Sequence, residues 1–243
     1  MYSLIAAVLA SLVTFGAVAG VTKTSYAVLP AVAVLLGTYW ILARRHSKAV
    51  EALMEELQRE IQQQRVANAI RMLKGAYPHA NWVFMLRGQI DGQIGTLHYI
   101  QKNFDDALPL LEGAWVKHWI AKGMLASYQF KRHKSDDAFA TLDAAIGASK
   151  KEPMLYGLKA WMQWKMKDRD GAIATLTAGK GKCPSSEPIG ASLIRLQNNE
   201  PLDMSIFGEQ WWQFHLEKPS MKQQMALAGL SGKPKGGKKA MYR

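Results

Sequence analysis

Three stretches of the chain carry the same small and large apolar residues at the same spacing, and this register restricts the fold most. They run from Gly88 to about Trp119, from Trp119 to about Glu152, and from Pro153 to about Ser186. Each has a small residue within a first helix: Gly95, Ala126, Ala160. Twelve positions later stands an alanine: Ala107, Ala138, Ala172. Four further on comes Leu111, Leu142 or Leu176, and three beyond that Ala114, Ala145 or Gly179. These steps predict pairs of antiparallel helices that cross closely where both partners are small, with leucine filling the space between successive pairs. Asp105, Asp136 and Asp170 stand two residues before the alanines. At a helix N-terminus a carboxylate satisfies free N–H groups and the dipole, so these aspartates are expected to be caps rather than catalytic acids.

This register resembles the tetratricopeptide repeat. Phe104 matches the aromatic expected three residues before Ala107, and Pro184 the proline that closes a repeat. The resemblance covers residues 88–186. It extends more weakly to 46–80, where Ala69, Leu73 and Ala76 copy the second-helix pattern, and to 187–217. The alanine spacing is 31 and then 34 residues, Trp119 and Lys150 stand where proline is expected, and Ser135 and Arg169 replace the aromatic. The resemblance implies an all-α fold, a solenoid of helix pairs. Its concave face, built from the first helix of each pair, would hold a peptide or helix of a partner.

On that face the same position carries Tyr99, Phe130 and Trp164, and the next carries Ile100, Lys131 and Lys165; Trp161 lies one turn before Lys165. The candidate partner-binding groove is therefore Tyr99, Phe130, Lys131, Trp161, Trp164 and Lys165. Aromatic anchors edged with lysine suit an acidic or amphipathic protein segment. The competing reading is that these rings are ordinary core between helices. Gly92 and Thr96 stand where the carboxylate-clamp members of the family need lysine and asparagine, so that mode of binding is not expected.

The first 43 residues differ from the rest, because Lys23 is their only charged side chain. Two apolar runs, 4–21 and 26–43, flank a polar break. Each has about 18 residues, the lower limit for crossing a hydrocarbon core of about 30 Å. They predict a transmembrane helical hairpin over residues 1–43, with Pro30 in the first turns of the second helix and Tyr39 and Trp40 near the interface. The cluster Arg44-Arg45-His46-Ser47-Lys48 places the following domain in the cytoplasm by the positive-inside rule. Ala17-Val18-Ala19 before Gly20 also fits a signal-peptide cleavage site, although no Lys or Arg precedes the apolar run.

The remaining organisation is a linking helix and degenerate repeat over 44–87, three repeats over 88–186, capping helices over 187–232, and a basic tail over 233–243. Trp211-Trp212-Gln213-Phe214-His215-Leu216 is expected to shield the open end of the array. The net charge is +12, and with Lys23 set aside +11 of it follows residue 43. The tail could lie on anionic lipid headgroups. Nucleic acid is disfavoured, since no RNA-binding motif accompanies the charge. Cys183, the only cysteine, sits in an inter-repeat turn expected to be exposed. No phosphate-binding loop, metal-ligand spacing or nucleophile motif is present, so neither catalysis, a metal nor a cofactor is expected. Two readings follow. One is a scaffold at a bacterial inner membrane that recruits a protein partner. The other is a permanent subunit of a larger membrane complex.

Overall fold

The computed structural model describes residues 2–20, 24–63, 65–80 and 85–219. All regular structure among them is helical, and it divides into two compact units, residues 1–125 and 126–243. The basic tail at 233–243, Lys23 in the polar break, and residues 220–232 of the expected capping region lie outside the described residues.

In the first unit, α1 (Tyr2–Ala19) packs on α2 (Thr24–Gln62). Ala7 of α1 and Ala31 of α2 are buried, so the helices approach where side chains are small. Ser11 and Thr14 donate their hydroxyls to the carbonyls of Val8 and Ala10, which satisfies them within α1. The rest of the surface is aliphatic and bare: Leu12, Val13, Leu29, Leu36 and Ile41 are each at least 60% exposed. Among the described residues no helix is long and apolar enough to cross a membrane.

The expected end of the second apolar helix at residue 43 is not a helix end. No glycine or proline stands between Gly37 and Gln62, and α2 continues as one helix of 39 residues, about 58 Å at 1.5 Å per residue. Its far end carries Leu57 into a core with Ala69 and Leu73 of α3 (Val66–Gly75), Ala76, and Leu86, Ile90, Ile94 and Leu97 of α5 (Leu86–Ile100). The one-turn α4 (Tyr77–Ala80) holds the Tyr77 phenol 2.6 Å from Asp91 Oδ1. Burial and then the Asp91 bond push the Tyr77 pKa up to about 12. Helix α6 (Phe104–Gly113) lies against α5. A side chain at Gly95 would come within 3.1 Å of Leu110 and Leu111, so the crossing needs the missing Cβ. The ammonium of Lys122, on α7 (Trp119–Lys131), closes α6 by donating to the carbonyls of Leu111 (3.0 Å) and Glu112 (2.9 Å).

The second unit begins within α7 and continues through α8 (Ser135–Ala148), α9 (Pro153–Lys165), α10 (Arg169–Lys182) and α11 (Glu187–Gln197). A 3-10 turn (Met204–Phe207) and the one-turn α12 (Glu209–Trp212) follow. One hydrogen bond recurs in successive pairs: Thr141 donates to Gln129 at 2.9 Å, and Thr175 to Gln163 at 2.7 Å. The alanines and leucines of the register are buried in both units. Arg169, standing where an aromatic was expected, donates through Nε to the carbonyl of Leu196 at 3.0 Å and so closes α11.

Helices α5, α7, α9 and α11 all end alike. Lys102, His133, Lys167 and Asn199 take left-handed φ values between 60° and 66°. The next residue's N–H returns to the carbonyl five back: Asn103 to His98, Lys134 to Gln129, Asp168 to Gln163, Glu200 to Arg195. This is the Schellman ending, which satisfies the last carbonyls and reverses the chain. After the first three a second helix starts at once. After α11 none does, because Pro201 follows and the chain runs on as irregular structure.

The aspartate caps need correction. Asp105, Asp136 and Asp170 lie inside the first turns of α6, α8 and α10, where they favour the dipole. The N-cap residues are Asn103, Lys134 and Asp168. Of these only Asp168 caps with its side chain, accepting from the Gly171 N–H at 2.9 Å.

Candidate partner-binding face

The six candidate residues do not share one fate. Tyr99 is fully buried in the first unit, with Phe104 edge-on at 5.2 Å. The ring at the start of α6 covers it, so Tyr99 is core and offers no surface. The next position behaves differently: Ile100, Lys131 and Lys165 are all exposed.

The second unit brings the other five onto α7 and α9. Phe130 stands edge-on to Trp161 at 6.0 Å between centroids. The Lys165 ammonium lies over two indoles, 5.0 Å from the Trp161 ring and 4.8 Å from that of Trp164. Such cation–π contacts hold an ammonium near an apolar surface while leaving it able to meet an anion.

This face is already covered, and by the chain itself. Trp211 lies edge-on to Trp161 at 5.4 Å, and Phe214 follows at 6.3 Å from Trp211. Trp161 is left 4% exposed and Trp211 and Phe214 almost wholly buried. The carboxylate of Glu217 accepts the indole N–H of Trp161 on Oε1 and that of Trp211 on Oε2, both at 3.1 Å. The Lys165 Nζ is 3.6 Å from the same carboxylate. Lys131 donates to the carbonyl of His215 at 3.3 Å. Phe207 presses on the bare backbone of Gly157, where a Cβ would meet the ring at 2.5 Å.

Residues 211–216 were expected to shield the end of the array, and Trp211 and Phe214 are buried. Sequence reasoning missed Gly157, Phe207 and Glu217 as parts of the same face. The signal available was the acidic Glu217 placed six residues after Trp211, but nothing local ties it to Trp161.

Cys183 is buried rather than exposed, with its thiol 3.8 Å from the carbonyl of Lys150. Burial pushes its pKa up, assisted by Glu152. Lys180, three residues before the cysteine, donates to the carbonyl of Pro184. Among the described residues no group of three or more His, Cys, Asp or Glu is placed to hold a metal ion.

No family model, no curated protein and no solved structure matches the chain.

Proposed function

We propose that the protein is a membrane-anchored scaffold of tetratricopeptide type that binds a protein partner on the face of α7 and α9. The observation that carries this reading is the occupied face itself. Trp161, Lys131 and Lys165 hold a segment with two aromatic anchors and a carboxylate, and Phe130 and Trp164 stand beside them against Trp161 and Lys165, the chemistry expected of a partner.

The anchoring part rests on the aliphatic surface of α1 and α2, where Leu12, Val13, Leu29, Leu36 and Ile41 stand exposed. Residues 4–21 and 26–43 enter the bilayer as a pair, and the Arg44 guanidinium stacks over Trp40 at 4.8 Å where headgroups begin. The repeats then lie on the cytoplasmic side of a bacterial inner membrane, and the basic tail meets anionic lipid.

Two experiments test the reading. Carbonate extraction of membranes should leave the wild type in the pellet and release a Leu12→Arg/Leu36→Arg variant. Equal behaviour of the two would reject the hairpin anchor. A pulldown from detergent extract should lose its specific partner with Trp164→Ala/Lys165→Ala, and an unchanged set of proteins would reject the face.

A further inference from the structure

The end of the array breaks its own rule. Helix α11 finishes with the same left-handed turn, at Asn199, as the first helix of each preceding pair. Its expected second helix is absent from the described residues, and the chain instead returns over α9 through one 3-10 turn and one helical turn. It is seated by side chains rather than by a helix of its own, chiefly Trp211, Phe214 and Glu217. Release of this segment would leave the α9–α10 and α10–α11 contacts in place.

The segment is also held as a ligand is held. Its anchors are spaced evenly, with Trp211, Phe214 and Glu217 at three-residue intervals. Trp211 covers Trp161 with Phe214 packed behind it, and the carboxylate takes the indole N–H of Trp161 as well as that of Trp211 and faces Lys165. The ionic end is the open end: the Glu217 and Lys165 side chains are 32% and 41% exposed. A competing carboxylate can reach Lys165 from solvent before the rings are displaced.

We propose that residues 208–217 are a built-in ligand of this face, and that the partner is a protein segment of the same chemistry. Such a segment carries an aromatic residue, a second aromatic three positions on, and a carboxylate three further. It displaces the chain's own copy, so the face is occluded until the partner arrives. The inference rests on the partner-binding reading above and deepens it. Because the internal copy is tethered, it competes at an effective concentration in the millimolar range. A partner must therefore bind the emptied face far more tightly than it binds the intact protein.

The test uses the full chain in detergent micelles and a fluorescent peptide spanning Asp203–Pro219. Wild type should bind it weakly. Trp211→Ala/Phe214→Ala, which weakens the internal copy, should bind it at least about tenfold more tightly. Glu217→Gln, which keeps both rings, should bind about threefold more tightly and serves if the double variant does not fold. A peptide carrying Trp211→Ala and Glu217→Gln should not bind any of them. Folded variants that bind the peptide no better than wild type would overturn the proposal and make the segment a permanent cap. If that occurs while the pulldown still depends on Trp164 and Lys165, the partner face stands and only self-occlusion falls. Tight peptide binding with an unchanged pulldown would reject the partner reading instead.

Discussion

The indole nitrogen of Trp161 and the carboxylate of Glu217, 56 residues apart in the chain, meet at 3.1 Å. The second oxygen of the same carboxylate is held by Trp211 at the same distance. Trp161→Phe removes the donor together with the pyrrole half of a buried indole. A hydrogen bond to a charged group contributes about 1.5–3 kcal/mol when buried, and the partial exposure of Glu217 places this one near or below the lower end. The lost bond alone contributes about 1 kcal/mol, and the cavity left by the indole adds to it, so the unfolding free energy from a urea titration should fall by more than about 1 kcal/mol. No change in the midpoint would mean that water replaces the indole without cost.

Gly157 tests how firmly the returning segment is seated. Gly157→Ala places a methyl group 2.5 Å from the Phe207 ring, so the ring or the segment must shift. Overpacking of this kind costs about 1–3 kcal/mol. The partner change Phe207→Ala makes room, and the double variant should recover most of the loss relative to Phe207→Ala alone. Additive losses would show that the two positions do not touch in solution.

Much of the helical register was legible in the sequence, and the reason is local. Ala107, Leu111, Ala138, Leu142, Ala172 and Leu176 are all fully buried because a close helix crossing admits only small residues and the gaps between pairs admit only large ones. The aspartates misled because an acidic residue suits both the cap and the first turn, and two positions cannot be told apart by charge alone. The exposure of the candidate residues was half legible. Lys131 and Lys165 are exposed as the periodicity implies, yet Tyr99 at an equivalent aromatic position is core because Phe104 lies over it. The covering of Trp161 by residues 207–217 was not legible, since a contact across more than fifty residues leaves no spacing to read.

The repeated left-handed turns give a second kind of test. A residue with a Cβ at such a φ costs about 1 kcal/mol, and glycine avoids that cost. His133, at φ 60°, is exposed, so its substitution changes little but the backbone term. His133→Gly should raise the unfolding free energy by about 0.5–1 kcal/mol. His133→Val should lower it, because β-branching is poorly tolerated at positive φ. The reverse order in thermal melts would mean that the turn relaxes out of the left-handed region.

His118 supplies a pH dependence whose sign follows from its surroundings. Its ring packs on Gly92, where a Cβ would approach Cδ2 to 2.8 Å, and its Nδ1 accepts the N–H of Ala121 at 3.3 Å in the first turn of α7. An accepting Nδ1 requires that nitrogen to be without a proton. Burial holds the His118 pKa below its ordinary value of 6.5, a backbone hydrogen bond partly opposes this, and the nearby Lys122 charge adds to the depression. The unfolded chain therefore takes up the proton at a higher pH than the folded one. The stability that this neutral ring contributes is complete above about pH 6.5 and is lost as the pH falls through that value toward the lower folded pKa. Urea midpoints should consequently drop between about pH 7.5 and about pH 5 in the wild type. His118→Asn keeps a side-chain acceptor for the Ala121 N–H and does not titrate in this range, so its midpoint should fall less over the same interval. Equal slopes for the two proteins would assign the acid sensitivity to other groups.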